Sequence, residues 1–242
     1  MVFVWRFSVK IGLFADTHYS DKIEPSGNRY HALSYEKIAR AMEYFKENGV
    51  ELVICLGDLT DDCVNIQDNK KALRIISALI NSYGIPFFSL MGNHDYLSFT
   101  RREFIDITGA YPPFTYGTEG SILVFLDCNY EDNGKIYKKR NIDWTNTYLP
   151  KSQLRMLQNV IETEKRDIYI FSHQNFDTEI DKCHIVRNAS NIISILKQGN
   201  VKAVIQGHYH SGHDTEIEEI KFHTLGATCE KNDGYYEIIQ IK

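Results

Sequence analysis

The chain has 242 residues, 43% apolar and 24% charged, with a net charge of −5. That is enough chain for a sizeable core, and the composition is ordinary for a globular protein rather than for a disordered segment. The acidic balance excludes a general nucleic-acid or membrane-surface binder, although a nucleotide remains a candidate substrate because a bound cation can supply positive charge locally.

The apolar runs are strand length, far below the ~20 residues of a membrane span. Met1 to Phe7 is apolar but short and lacks a signal-peptide cleavage pattern, so it reads as the start of the first strand. Five cysteines, Cys55, Cys63, Cys128, Cys183 and Cys229, are scattered with no Cys-x-x-Cys. They point to reduced thiols filling strands and loops of a cytoplasmic protein, not to a disulfide frame or a thiolate metal site.

Val9 to Ala15 is the first core strand and ends in Asp16-Thr17-His18. After a polar loop, Ile38, Ala41, Met42 and Phe45 recur at i, i+3, i+4 and i+7, one face of a helix, with Ser34 as N-cap and Asn48-Gly49 as stop. Val50 to Leu56 is a second strand, ending in Gly57-Asp58-Leu59-Thr60-Asp61-Asp62. A second amphipathic helix carries Ala72, Ile75, Ile76, Leu79, Ile80 and Tyr83 and stops at Gly84. Ile85 to Leu90 is a third strand, ending in Gly92-Asn93-His94-Asp95. This β-α-β-α-β order predicts a layered α/β sheet.

Further on, Arg101 to Ile107 reads as a short helix and Ser121 to Asp127 as a strand. Asn129 to Leu149 reads as a long loop, a length that is usually functional or mobile. Pro150 to Glu164 is a helix with Leu154, Leu157, Val160 and Ile161 inward. Asp167 to Ser172 is a strand ending in His173, and Ala189 to Lys197 is a helix. Val201 to Gln206 is a strand ending in Gly207-His208-Tyr209-His210. Glu216 to Leu225 and Tyr235 to Ile241 alternate like antiparallel strands with one wet face. No repeat, low-complexity tract or linker interrupts residues 1–242, which predicts one domain.

Five strands therefore end in ligand-type side chains: Asp16 and His18; Asp58 and Asp61; Asn93 and His94; His173; His208 and His210. In extended chain, residues i and i+2 point the same way, so Asp16 with His18, and His208 with His210, can face one cavity. The carboxyl edge of a mainly parallel sheet is where α/β proteins keep their sites. Carboxylates, imidazoles and an amide oxygen suit manganese, iron or zinc better than calcium. The donors are too many for one ion, and two ions about 3.5–4 Å apart sharing a carboxylate would use them all.

These blocks resemble the D-x-H, G-D-x-x-D, G-N-H-[DE], H and G-H-x-H pattern of the calcineurin-like metallophosphoesterases, present in order from residue 16 to residue 210. The resemblance implies a four-layer αββα sandwich: two mixed β-sheets flanked by helices, with a dinuclear metal site at strand C-terminal ends. It implies Asp16, His18, Asp58 and His210 around one ion and Asp58, Asn93, His173 and His208 around the other, with Asp58 bridging. It implies two divalent ions, manganese first and iron or zinc as alternatives. A metal-bridging hydroxide would be the nucleophile, and His94, oriented by Asp61, the acid.

Asp61 departs from the purple acid phosphatases, which place a tyrosine there, and from the recombination nucleases, which place a histidine. Asp62 and Asp95-Tyr96 depart from the protein phosphatases, which carry arginines after the corresponding blocks. Relatives often place a proline at the position of Asn175. Arg29-Tyr30, Ser34, Lys37, the run Asn188 to Leu196, His213 and Phe222-His223 give a narrower resemblance, to the manganese-dependent ADP-ribose/CDP-alcohol diphosphatases. It implies substrate contacts at Arg29, Tyr30 and His213.

Other residues have two readings. His31 and His213 are substrate contacts or exposed loop histidines, and His184 and His223 read as structural. Arg29, Arg101, Arg140 and Arg187 can grip a second phosphate or stand as solvated charges. Tyr130, Tyr137 and Trp144 can stack a base or pack their loop. The expected activity is a phosphodiesterase or nucleotide pyrophosphatase on a small molecule, with no nucleic-acid polymer or membrane as partner. A phosphomonoesterase with the same metals, or a non-catalytic binding scaffold, is the alternative.

Overall fold

The computed structural model describes residues 8–230 and 234–242. The segment Met1 to Phe7, expected to open the first strand, lies outside the described residues. The first half runs β1 (Val9–Phe14), α1 (Ser34–Glu47), β2 (Leu52–Cys55), α2 (Asn69–Asn81), β3 (Phe87–Ser89), α3 (Asn93–Ser98) and α4 (Arg101–Thr108). The second half opens with β4 (Thr115–Gly117), β5 (Ser121–Leu126), α5 (Lys151–Thr163), β6 (Asp167–Ser172), α6 (Ala189–Leu196) and β7 (Val201–Gln206). It closes with β8 (His213–Ile217), β9 (Ile220–Thr224) and β10 (Glu237–Ile241).

Two mixed sheets result, in the orders β10-β1-β2-β3 and β4-β5-β6-β7-β9-β8. β1, β2 and β3 are parallel, as are β5, β6, β7 and β9, while β10, β4 and β8 are antiparallel edge strands. The period-2 alternation of the strands sorts their side chains into three cores. Ile11, Leu13, Leu52, Ile54, Leu123, Phe125 and Phe171 fill the space between the sheets. Phe14, Val53 and Cys55 point the other way, under Ile38, Met42, Phe45, Leu73 and Ile76 of α1 and α2. Ile122, Val124, Ile168, Ile170 and Val204 point away from the first sheet, under Leu157, Ile161, Ile192 and Leu196 of α5 and α6. Each such buried aliphatic side chain contributes on the order of 1.5–3 kcal/mol. The layers are helix, sheet, sheet, helix, as the family resemblance implies.

Several local expectations are corrected. Ser34 is the first residue of α1 rather than its cap; the capping position is Leu33, and the Ser34 hydroxyl instead donates to the Thr17 carbonyl. Ile75 is 38% exposed rather than core-facing. The alternating run from Glu216 is not one strand but a hairpin, β8 and β9, turning at Glu218 and Glu219, whose φ angles are 52° and 65°. A hairpin turn needs positive φ at its central residues, and here glutamates supply it without the usual Asn or Gly.

An ionic contact joins the two sheets. His223 on β9 places Nδ1 2.5 Å from Asp214 of β8 and Nε2 2.7 Å from Glu237 of β10, the edge strand of the other sheet. The Glu237 carboxylate, opposed by burial and joined by Asp214, lifts the imidazole to about 9. A folded-state value above the unfolded one of about 6.5 gives stability that is full below pH 6.5 and fades as pH rises toward 9. His223→Gln is therefore expected to destabilise the protein at pH 6, with the difference from wild type shrinking by pH 9. Urea titrations at the two pH values check this, and a pH-independent difference would contradict it.

Candidate metal centre

The parallel strands of the two sheets deliver their C-terminal ends to one place. After β1, the chain continues beside the loop that follows β2: Asp16 N–H donates to Gly57 O and His18 N–H to Asp58 O, both at 3.0 Å. Asp16, His18, Asp58 and His208 have φ of 52°, 44°, 51° and 67°. The expected extended-chain geometry is thus replaced by left-handed backbone at the donors themselves. Each such non-glycine residue costs on the order of 1–3 kcal/mol and persists because surrounding bonds over-determine it. The Asp16 carboxylate accepts from His208 N–H at 3.0 Å, and Asp58 accepts from His94 N–H at 2.8 Å. The two sheets are thereby pinned to each other through the backbone of the site.

Asp58 stands at the middle. Its Oδ2 lies 3.6 Å from His18 Nε2 and 3.5 Å from His173 Nε2, so one oxygen faces donors from both sheets. On one side, His18 Nε2 is 3.2 Å from His210 Nε2, which is 3.5 Å from Asp16 Oδ1. On the other, His173 Nε2 is 3.2 Å from Asn93 Oδ1, and the His173 and His208 rings lie 4.9 Å apart. The tautomers follow from outer partners: His173 Nδ1 is 2.9 Å from Leu56 O and His210 Nδ1 is 2.6 Å from Glu230. Each ring thus turns Nε2 inward. Glu230 is a supporting residue that no motif revealed.

Among the described residues, three donor groups have ligand atoms mutually within 4.8 Å: Asp58, His173 and His208; His18, Asp58 and His94; and His18, His210 and Cys229. Asp58 belongs to two of them. Asp16 Oδ1 and His208 Nε2 are buried without a hydrogen-bond partner. Buried polar atoms without partners are costly, and a cation beside each, one on either side of Asp58, would satisfy both, so the residues fit a dinuclear metal centre. Cys229, set aside with the other thiols in the sequence, comes to the edge of this cluster, where burial pushes its pKa up and keeps it a neutral thiol.

The electrostatics agree with a site built for cations. Burial lowers His18 to about 4 and His208 well below the ordinary imidazole value. Burial acts the same way on His173 and His210, but Asp58 outweighs it at the first and Asp16 with Glu230 at the second, lifting both to about 9. Asp16 falls to about 2 because its histidine neighbours overcome the cost of burial.

Asp61 lies 3.4 Å from His94 Nδ1 and 3.5 Å from His18 Nδ1, and these histidines hold it ionised, against burial, well below the usual carboxylate range. Arg29 Nη1 donates to Asp61 at 3.2 Å and lies 3.3 Å from His94 Nε2. Asp95, read only as the end of a motif, accepts from the N–H groups of Leu59, Thr60 and Gly92 at 3.1 Å. It staples the loop after β2 to the loop after β3. The glycines ahead of the donors permit the close approach: a Cβ on Gly92 would fall 2.1 Å from Asp58 Oδ1, and one on Gly57 2.5 Å from His173 Nδ1.

The remaining candidates separate. Arg29, His94, Trp144 and His184 line a cleft of about 370 Å³ above Asp58, Asn93, His208 and His210. Arg101 pairs with Asp127 and Arg140 with Asp62, while Arg187 Nε donates to Thr145 O. Tyr137 is buried and Tyr130 bonds Arg101. His31 is buried, not exposed, with Nδ1 2.9 Å from His18 O. Tyr30 packs against Lys37, and His213 sits 2.6 Å from Asp177. Neither Tyr30 nor His213 is among the residues lining the cleft. The loop 129–149, expected to be functional or mobile, is anchored through Tyr148 N–H to Tyr130 O and Tyr137 N–H to Asn129 O, both 2.9 Å.

The chain is similar to known proteins in sequence and in structure. The profile of the calcineurin-like phosphoesterase family matches residues 9–212. A probable cyclic nucleotide phosphodiesterase from Coxiella burnetii is 25% identical over 231 residues, covering 91% of this chain and 84% of that protein. A dimetal phosphatase from Danio rerio is similar in structure with a TM-score of 0.81 and 18% identity, covering 95% of this chain and 91% of that one. GAP50, the anchor in the inner membrane complex of Plasmodium, has a TM-score of 0.60 at 14% identity, covering 97% and 81%. Among the described residues, no helix is long and apolar enough to cross a membrane.

Divalent metal ions added to chelator-stripped protein are expected to raise its melting temperature, with about 2.7 kcal/mol of stabilisation at a hundredfold excess over Kd. Gly92→Ala, which drives a methyl group into Asp58, should abolish that rise while leaving the far-ultraviolet circular dichroism spectrum unchanged. An undiminished metal-dependent shift in Gly92→Ala would contradict the site geometry.

Proposed function

The chain belongs to the calcineurin-like phosphoesterase family, a family of metal-dependent phosphoester hydrolases, and from that membership we propose a specific division of labour and a substrate class. Asp16, His18, Asp58, Asn93, His173, His208 and His210 hold two divalent ions, manganese by preference, and the substrate is a small phosphodiester or phosphoanhydride. The observation that carries this is the placement of Asp58 Oδ2 within 3.6 Å of imidazoles from both sheets, the arrangement a bridging carboxylate needs. When bound, two such ions supply Lewis-acid chemistry, activating water near neutral pH and neutralising phosphoryl oxygens.

The protein's own groups do the rest. Burial works against charge on His94, but Asp58 and Asp61 outweigh it and hold its pKa above the ordinary value. With Arg29 Nη1 facing Nε2, the proton of a neutral His94 ring sits on Nδ1, toward Asp61. A substrate phosphoryl group draws the guanidinium onto its own oxygen, leaving Nε2 free to carry a proton to the departing oxygen. Asp61 is thus a positioning group for two histidines at once. Carboxylate and amide oxygens mixed with imidazoles favour manganese, with iron and zinc as the next candidates. The Coxiella relative's description as a probable cyclic nucleotide phosphodiesterase supports diesters as the substrate class.

Manganese-loaded protein should cleave bis-p-nitrophenyl phosphate and at least one natural diester or diphosphate in a product assay covering ADP-ribose, CDP-choline and cyclic AMP. Asp58→Asn should remove this activity. His94→Asn should lower kcat by about 10²- to 10⁴-fold with the metal content unchanged. Activity surviving Asp58→Asn, or a silent panel with two ions bound, would defeat the proposal.

A further inference from the structure

Resting on the phosphoester reading of the cleft, we propose that Trp144, backed by His184, is the platform on which the flat base of a nucleotide stacks while its phosphate meets the metal centre. Trp144 is 38% exposed, yet its ring centroid lies 5.6 Å from that of the site residue His208. His184 lies 5.3 Å from Trp144 and 5.1 Å from His208, so the three rings form one cluster at the cleft. At 5.3 Å the two rings are too close to admit a base between them, so the exposed face of Trp144 is the platform and His184 its support. Arg29 reaches the same cleft close to His94, where it can grip a phosphoryl oxygen. A ring platform and an arginine, both on a metal-lined cleft of about 370 Å³, match the two ends of a nucleoside phosphate.

The platform is built in advance of binding. Asp143 Oδ1 accepts from the N–H and hydroxyl of Thr145 at 3.1 and 2.7 Å, and Asn146 N–H closes the turn onto Asp143 O at 3.0 Å. From below, the buried Tyr137 hydroxyl contacts Asp143 O and Asn146 O at 3.0 and 3.2 Å. From the side, Arg187 Nε donates to Thr145 O at 3.0 Å, and its N–H donates to Thr147 O at 2.9 Å. A turn held this way loses little freedom when a base settles on the indole it carries. These contacts explain what the long loop is for: Tyr137 and Arg187 are its pegs, and Trp144 is what it presents.

Calorimetric titration of the manganese-loaded protein with AMP and with ribose 5-phosphate tests this, since the two share the phosphate and sugar and differ in the base. AMP should bind on the order of tenfold tighter, the range of base stacking on an aromatic side chain. Trp144→Ala should bring AMP down to the level of ribose 5-phosphate while leaving the latter within twofold, and Trp144→Phe should restore most of the preference. Equal wild-type affinities for the two ligands, absence of AMP binding, or a Trp144→Ala variant that keeps the preference would overturn the platform. Bis-p-nitrophenyl phosphate hydrolysis separates the two claims. Turnover without a base preference removes the platform alone; failure to hydrolyse any ester removes the reading on which it rests.

Discussion

The Asp58 carboxylate is the constraint on which the rest of the structure depends. It is buried, it faces imidazoles carried by both sheets, and it fixes the loop after β3 by accepting the His94 N–H. Asp16, Asp61 and Asp95 are buried around it. Four carboxylates out of water in one region are tolerable only if N–H groups, imidazoles and cations offset them. Asp95 is held by three backbone N–H groups and Asp61 by histidines and Arg29, whereas Asp16 and Asp58 face the imidazoles of His18, His173 and His210.

That demand explains features that would otherwise look like defects. Left-handed backbone at Asp16, His18, Asp58 and His208 is unfavourable for each residue alone, and it turns four donors onto one point. The glycines before Asp58 and Asn93 sit where any side chain would strike a donor from a neighbouring loop. The two-sheet architecture serves the same end, because it brings the C-terminal ends of β1, β2 and β3 against those of β6 and β7. The fold alone does not decide activity, since it is shared with a protein described as an anchor, GAP50. The full donor set and the His94–Asp61 pair are what make this chain an enzyme candidate rather than a scaffold.

Much of this was legible in the sequence because the chemistry sits at strand ends, where an apolar run stops abruptly at polar residues. Asp167–Ser172 and Val201–Gln206 are readable to the residue. The division into two sheets came from the family resemblance rather than from periodicity, because the pairings of β10 with β1 and of β9 with β7 bring distant segments together without any local signal. The six-residue α3 and the three-residue β4 are too short to show a period. The Glu218–Glu219 turn lacks the residues that usually announce one. Residues that act through tertiary contact were the least visible. His31 looked like a loop histidine and is buried under His18; His184 looked structural and lines the cleft; Glu230 and Asp95 support the donors without belonging to the expected donor set.

The central claim is that Asp58 bridges two ions held between the sheets. Anomalous diffraction from crystals grown with manganese measures this directly. Two peaks about 3.5–4 Å apart, both within bonding distance of Asp58, are predicted. A single peak, or two peaks that Asp58 does not join, would contradict the account.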